Sequence, residues 1–324
     1  MEEVRESARW VAEHSELVRL DRGALARFAQ ELAAGELQIP QWNYHYHFHD
    51  GGERTVAYLL VLDSLNFCFW APEGKPKWEI DYEGEPLSGY YALAAALKRA
   101  FEAGRPFDDP GFLARLSPDR LREILGGRGE LQLLNQRCEV LNELGRVLLE
   151  RYEGRPASRA ARLVEAAGGS AVELARLLAR ELGSFRDEAQ YKGRRVFFYK
   201  RAQIFPADLW LAFSGESWGS FRDIGELTAF ADYKLPQVLR QLGILRYSPG
   251  LAERIDRLEP LPPGSPEEVE IRANTIWAVE LLREELARLG RALMAVELDW
   301  LLWEMGQRPE FKQRPHHRTV TIFY

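Results

Sequence analysis

"ERTVAYLLVLDSLNFCFW", Glu53 to Trp70, carries apolar side chains on nearly every side of a helical wheel. A surface helix keeps a polar face, so a segment apolar all round predicts a buried central helix. If the helix continues through "DSLNFCFW", then Asp63, Asn66, Phe67 and Trp70 fall at i, i+3, i+4 and i+7, one stripe of one face. A carboxylate, an amide and two rings suit a planar heterocycle, with rings stacking and polar groups reading its edge. The bland reading is a core helix whose polar residues satisfy backbone groups elsewhere, and spacing alone favours it.

Helical periodicity continues outward from this segment. "VRESARWVAEHSELVRLDRGALARFAQELAAG" reads as two amphipathic helices, the second ending near Gly35. Further helices are predicted at "YYALAAALKRAFEAG", "SPDRLREILGG", "LLNQRCEVLNELGRVLLERYEG" and "SAVELARLLARELGSF", with N-caps at Ser117 and Ser170. "KWEIDYEGEPLSG" alternates and turns at Glu83-Gly84, a short hairpin. "GRRVFFYKRAQIFPADLWLAFSG" begins as a strand and turns helical. "DIGELTAFADYKLPQVLRQLGILRYS" reads as two short helices broken before Pro236. The loop "EPLPPGSP" precedes a long helix from Glu267 to about Leu289, followed by the tryptophan-rich helix "AVELDWLLWEMG". The terminal "HHRTVTIFY", aromatic and β-branched, is expected to dock. The fold class is therefore mainly α, one compact unit with two lobes, approximately 1–190 and 191–324.

Composition excludes several functions. A formal charge of −6 gives no basic footprint for a long nucleic acid, although a single nucleotide needs only a local cluster of cations. Two cysteines, Cys68 and Cys138, are too few for a disulfide framework or a thiolate zinc site. The charged opening "MEEVRESARW" is unlike a signal peptide, and no apolar run is long enough to span a bilayer. A cytoplasmic monomer that contacts no membrane is the expectation.

Three other stretches could carry chemistry. In "HYHFHD", His45, His47 and His49 alternate, which would place them on one face of a strand. Zinc needs converging ligands, yet only Asp50 offers a fourth and aromatic residues intervene, so packing or substrate contact is favoured and no metal is expected. Lys200 and Arg201 stand among apolar residues in "FFYKRAQIFPADLW", where paired cations could clamp a phosphate or mark a solvated strand end. Asp232, beside Tyr233 and Lys234, sits near a helix break, the place of a cap or of a carboxylate presented to a cleft. There is no Walker lysine loop or G-x-G-x-x-G.

"DSLNFCFW", "YKRAQIFPADLW", "FRDIGELTAFADYKLPQVLRQLGILRYS", "EVEIRANTIWAVELL" and "HHRTVTIFY" occur in this order in the queuosine salvage protein family, which the chain resembles from about Asp50 to Tyr324. The histidine run precedes the resemblance, and nothing transfers to His45 or His47. The resemblance implies a fold similar to that of helix-hairpin-helix DNA glycosylases. It also implies a cofactor-free N-glycosidic hydrolase that frees queuine from queuosine 5'-monophosphate for tRNA modification. The chain departs from DNA glycosylases in lacking an L-P-G-h-G hairpin, in keeping with its acidic charge and with a mononucleotide substrate.

On this resemblance the catalytic residues are Asp232, matched through "FADY", and Lys200. Asp63, Asn66, Phe67 and Trp70 are expected to hold the base, with His49 closing the pocket. Lys200, with Arg201 or Lys234, would hold the 5'-phosphate, and Tyr233 completes the substrate contacts. The rival readings are a non-catalytic nucleotide-binding protein that kept the fold, and a glycosylase acting on RNA or DNA. A basic groove would favour the polymer.

Overall fold

The computed structural model describes residues 1–36 and 38–324. Among them fourteen α-helices dominate, and the β-structure is three two-stranded antiparallel pairs. The central helix spans Glu53–Ser64 and is buried continuously from Thr55 to Ser64. It stops short of the expected Trp70. A helix end leaves carbonyls without intrahelical partners, and here two buried guanidinium groups take them. Arg201 donates to the carbonyls of Asp63 and Ser64, and Arg137 donates to those of Leu65, Phe67 and Cys68. The chain then runs on without helix, so the expected stripe from Asp63 to Trp70 does not form.

Two hydrophobic cores organise the molecule. The first gathers the central helix, the helices Tyr90–Glu102, Leu134–Arg151, Ala171–Glu181 and Lys200–Ala212, and the N-terminal helix Glu2–His14. The second gathers Arg22–Ala34, Lys234–Gln241, Pro266–Arg288 and Ala295–Met305. The helix Lys200–Ala212, which a lobe boundary near residue 190 would place in the second lobe, packs in the first core. The segment Arg22–Ala34 crosses the other way, tied down by pairing of Val18–Leu20 with Leu245–Tyr247. The wall between the cores is the 23-residue helix Pro266–Arg288. Val269, Ala273 and Ile276 face the first core, while Ile271, Ala278 and Leu282 face the second. The loop before it and its start at Pro266, capped by Ser265, follow the sequence pattern.

The predicted hairpin pairs Glu79–Tyr82 with Glu85–Ser88. Positive φ at both Glu83 and Gly84 fits the tight turn whose twist matches paired strands. A second hairpin, Glu188–Tyr191 with Arg194–Phe197, leads into the helix that starts at Lys200. Two short helices broken before Pro236 are not found. A short 3₁₀ helix, Ile224–Glu226, is followed by one α-helix, Lys234–Gln241, which holds Pro236 in its first turn, where a missing N–H leaves no bond unmade. The C-terminus docks as expected: Tyr324 is buried and its carbonyl accepts the Cys68 N–H at 2.9 Å.

One buried ion pair braces the two cores. Arg272, on the shared helix, meets Asp187 through two hydrogen bonds of 2.9 and 2.6 Å. Its Nε donates to the Ala231 carbonyl at 3.0 Å, one residue before Asp232. Arg272→Met should lower unfolding free energy by about 3–5 kcal/mol, because it strands the Asp187 charge in the interior. Urea unfolding followed by circular dichroism measures this. A loss below about 1 kcal/mol, the range of exposed pairs, would mean that the pair is no brace.

Candidate active site

The seam between the cores opens into a cavity of about 280 Å³ with an adjoining recess of about 170 Å³. Asn66, Tyr90, Tyr91, Lys200, Asp232 and Trp303 line both, so they are two ends of one cleft. The larger end is aromatic and acidic, with Trp42, Phe230 and Trp300 beside Asp208 and Asp299. The smaller end is basic, with Lys77, Lys234 and Lys312 in its wall.

Asp232 stands at the junction. It is 8% exposed, and its Oδ1 accepts the backbone N–H groups of Lys234 at 2.7 Å and Leu235 at 3.0 Å. These are orphan donors of the helix Lys234–Gln241, so the carboxylate is anchored by one oxygen and keeps the other free. Burial pushes the carboxyl above its ordinary range, opposed by the nearby Lys200 ammonium and by the two backbone donors.

Lys200 reaches the junction from the start of its helix. Its Nζ donates to the Asn66 carbonyl at 3.0 Å. Burial pulls the ammonium down to about 8, against the attraction of Asp232. Its backbone N–H donates to Asp187 Oδ2 at 3.2 Å, so the Arg272 brace places both Lys200 and Asp232. Asp299 plays a similar part on the other side, where its Oδ1 accepts the Phe230 N–H at 2.7 Å.

The remaining expected residues divide. Tyr233 and Lys234 line the basic end. Phe67 touches that end but is otherwise core, between the guanidinium groups of Arg137 and Arg201 at 4.3 and 5.0 Å from its ring. Asp63 is fully buried behind the wall and lines neither end. Trp70 lies outside, under Arg318 at 5.3 Å. Arg201 is sealed in the interior with its guanidinium spent on backbone carbonyls, so it offers nothing to a phosphate. His49 is exposed against Phe213 and does not close the cavity.

The histidine run forms a turn rather than a strand, and this separates the three rings. His45 is exposed beside Glu83. His47 points inward and lines the acidic end. Its Nδ1 donates to the Asn43 carbonyl at 2.7 Å, which leaves Nε2 to accept the Tyr90 hydroxyl at 2.9 Å. Burial holds it neutral, down to about 4. Among the described residues no group of three or more His, Cys, Asp or Glu is placed to hold a metal ion, and no helix is long and apolar enough to cross a membrane.

Several lining residues escaped the sequence reading, and some had a signal. Ile204, Asp208 and Leu211 follow the already named Lys200 at helical spacing and share one wall of the cavity with it. Asp299, Trp300 and Trp303 do the same on the tryptophan-rich helix. Lys77 and Lys312 come from a loop beside the hairpin and from the C-terminal region, and no local pattern marks them.

The profile of the family described as queuosine salvage protein matches residues 44–324. The chain belongs to that family. The match begins at Tyr44 and so includes His45, His47 and His49, earlier than the resemblance from Asp50. The chain is also similar to proteins named queuosine 5'-phosphate N-glycosylase/hydrolase. That of Sphaerobacter thermophilus is 51% identical over 318 residues, covering 98% of this chain and 96% of the relative. The mouse protein is 38% identical, with 99% and 98% covered, and the Schizosaccharomyces pombe protein 32% identical, with 96% and 93% covered.

The three lysines of the basic end carry a testable consequence. Lys234 is drawn down to about 8 by burial, with Lys312 and Lys77 adding like-charge repulsion. Burial and Lys312 lower Lys77 in the same way. An anion bound there gains most while the cluster is protonated, so affinity should fall as pH rises through 8. Titration calorimetry with ribose 5-phosphate should show binding about tenfold weaker at pH 9 than at pH 7, the loss of one charge-assisted contact. The phosphate is dianionic throughout this window. Affinity independent of pH would remove the lysines from the site.

Proposed function

We propose that this protein hydrolyses the N-glycosidic bond of queuosine 5'-monophosphate, releasing queuine and ribose 5-phosphate. The observation that carries the reading is the position of Asp232 where an aromatic, acidic compartment meets a basic one. A nucleotide has the same polarity. Its base suits the rings of Trp42 and Phe230, its phosphate suits Lys77, Lys234 and Lys312, and its sugar then falls beside Asp232. The names of the relatives support the same substrate.

Cleavage of such a bond passes through an oxocarbenium-like state with positive charge on the sugar. The free oxygen of Asp232 stabilises that cation and accepts a proton from the attacking water. Its anchored oxygen spends no freedom during the reaction, because two backbone N–H groups already hold it. Lys200 keeps Asp232 ionised despite burial and also faces the sugar-phosphate. Asn66 and Tyr233 complete the wall around the sugar and phosphate. Asp299 and neutral His47 face the base edge.

Two measurements test this. Asp232→Asn should fold normally and lose about 10²–10³ in rate on queuosine 5'-monophosphate, read as free queuine by chromatography. Near wild-type turnover would move the catalytic role elsewhere. Lys312→Ala should lower kcat/KM for the monophosphate by about one to two decades, the worth of one charge-assisted contact, and hardly affect the nucleoside queuosine. Equal losses on the two substrates would place the phosphate elsewhere.

A further inference from the structure

A carboxyl group that the reaction described above does not use lies directly behind the cavity wall. Asp63, in the last turn of the central helix, is fully buried, and neither of its oxygens receives a hydrogen bond from a donor among the described residues. What it meets is the carboxyl group of Asp208, within hydrogen-bond reach. Asp208 is 6% exposed and lines the acidic end of the cleft. Two carboxylates in contact in a dry interior do not both ionise. One proton therefore lies between them, with Asp63 sealed on the inside and Asp208 facing the cavity.

The surrounding groups leave this proton in place. Tyr58 and Tyr90 pack near the pair, but Tyr58 donates to the Ala94 carbonyl at 3.0 Å and Tyr90 to His47. Of the nearby cations, Lys200 donates to Asn66 and Arg201 to the Ser64 and Ser184 carbonyls. Asp299 and Glu304, the other acids of this compartment, and Asp232 at the junction bring no cation to the pair, and burial holds Asp299 well above the carboxylate range. Burial holds Asp208 up at about 7 and Asp63 well above the carboxylate range.

We propose that the Asp63–Asp208 pair is the acid that protonates the departing base, with Asp208 the catalytic residue and Asp63 the positioning residue that shares its proton. The inference rests on the glycosidase reading. A 7-deazapurine carries carbon where a purine has N7, so the usual site for protonating the leaving group is missing and another ring acceptor must be served. As the bond from the sugar anomeric carbon to the ring nitrogen breaks, its electron pair stays on the base. Asp208 passes the shared proton to the base. The oxygen of water bonds to the anomeric carbon, and the proton that water loses goes to Asp232. After release, solvent carries a proton from Asp232 back to the pair. An acid held protonated near neutrality is matched to such a transfer.

The test compares two substrates. Queuosine 5'-monophosphate needs its leaving group protonated; 4-nitrophenyl β-D-ribofuranoside 5-phosphate does not. Asp208→Asn should lower kcat on the nucleotide by about 10²-fold and change kcat on the nitrophenyl substrate by less than about threefold. Asp63→Asn should move the high-pH limb of the nucleotide kcat profile to lower pH with KM unchanged. An amide beside Asp208 removes the shared proton and donates to its carboxylate. This second readout stands without the nitrophenyl substrate. Ribose 5-phosphate should bind both variants as it binds the wild type, which separates a lost acid from a lost fold.

Equal losses on both substrates, or an unmoved pH profile, would make the pair structural and overturn the proposal. A raised KM with unchanged kcat would make it a binding contact only and overturn it equally. Wild-type protein inert on both substrates would instead sink the glycosidase reading, and this inference with it.

Discussion

The buried pair of Arg272 and Asp187 is the constraint from which the cleft hangs. Removing both charges from water is costly, and an apolar pair could join two cores at least as firmly. What an apolar pair could not do is fix three chain segments at once. Asp187 takes the N–H groups of Phe198 and Tyr199 on its backbone carbonyl, at 3.0 and 3.1 Å, and that of Lys200 on its side chain. Tyr199 is thereby held at φ 51°, a left-handed conformation that a bulky residue adopts only under such constraint. Arg272 takes the Ala231 carbonyl, and its guanidinium lies between the rings of Phe198 and Tyr324 at 4.0 and 4.1 Å. One interaction thus sets the start of the Lys200 helix, the approach to Asp232 and the docking of the chain end.

Burial at this seam shapes the electrostatics more than net charge does. Acids collect at one end of the cleft and lysines at the other, and desolvation works against the charged form of both. It raises Asp232, Asp208 and Asp299 and lowers Lys200 and Lys234. Lys200 and Asp232, near the middle, each offset part of the other's cost. At the basic end Asp232 and Glu79 offset only part of what burial and mutual repulsion cost Lys234 and Lys77, and a bound dianion would supply more. An anion site held in repulsion while empty gains most on filling.

Helical periodicity made most of the architecture legible, because apolar spacing and caps such as Ser117 and Ser170 act locally. The site was legible only in part. Asp232, Lys200 and Asn66 line one cleft, a meeting that no spacing in the sequence could show. Arg201 reads in sequence like Lys200 yet ends sealed, because one residue along a helix turns a side chain about 100° toward the carbonyls of a neighbouring helix end. The Asp63 stripe fails for a related reason. Arg137 and Arg201 come from distant parts of the chain, and their capture of carbonyls stops the helix at Ser64. Lys77 and Lys312 come together only in three dimensions, 235 positions apart in the numbering, which no short window detects.

The same geometry weighs a polymer against a mononucleotide. Duplex recognition draws on many phosphate contacts spread along a groove, each releasing counterions. Here three lysines converge on one recess of about 170 Å³ at one end of the cleft. The compartment on the far side of Asp232 is acidic, and a continuing backbone that placed further phosphates near Asp208 or Asp299 would meet repulsion. A chain of formal charge −6 adds a long-range field of the same sign. A single phosphate at one end and a neutral or cationic base at the other would match the polarity of the cleft.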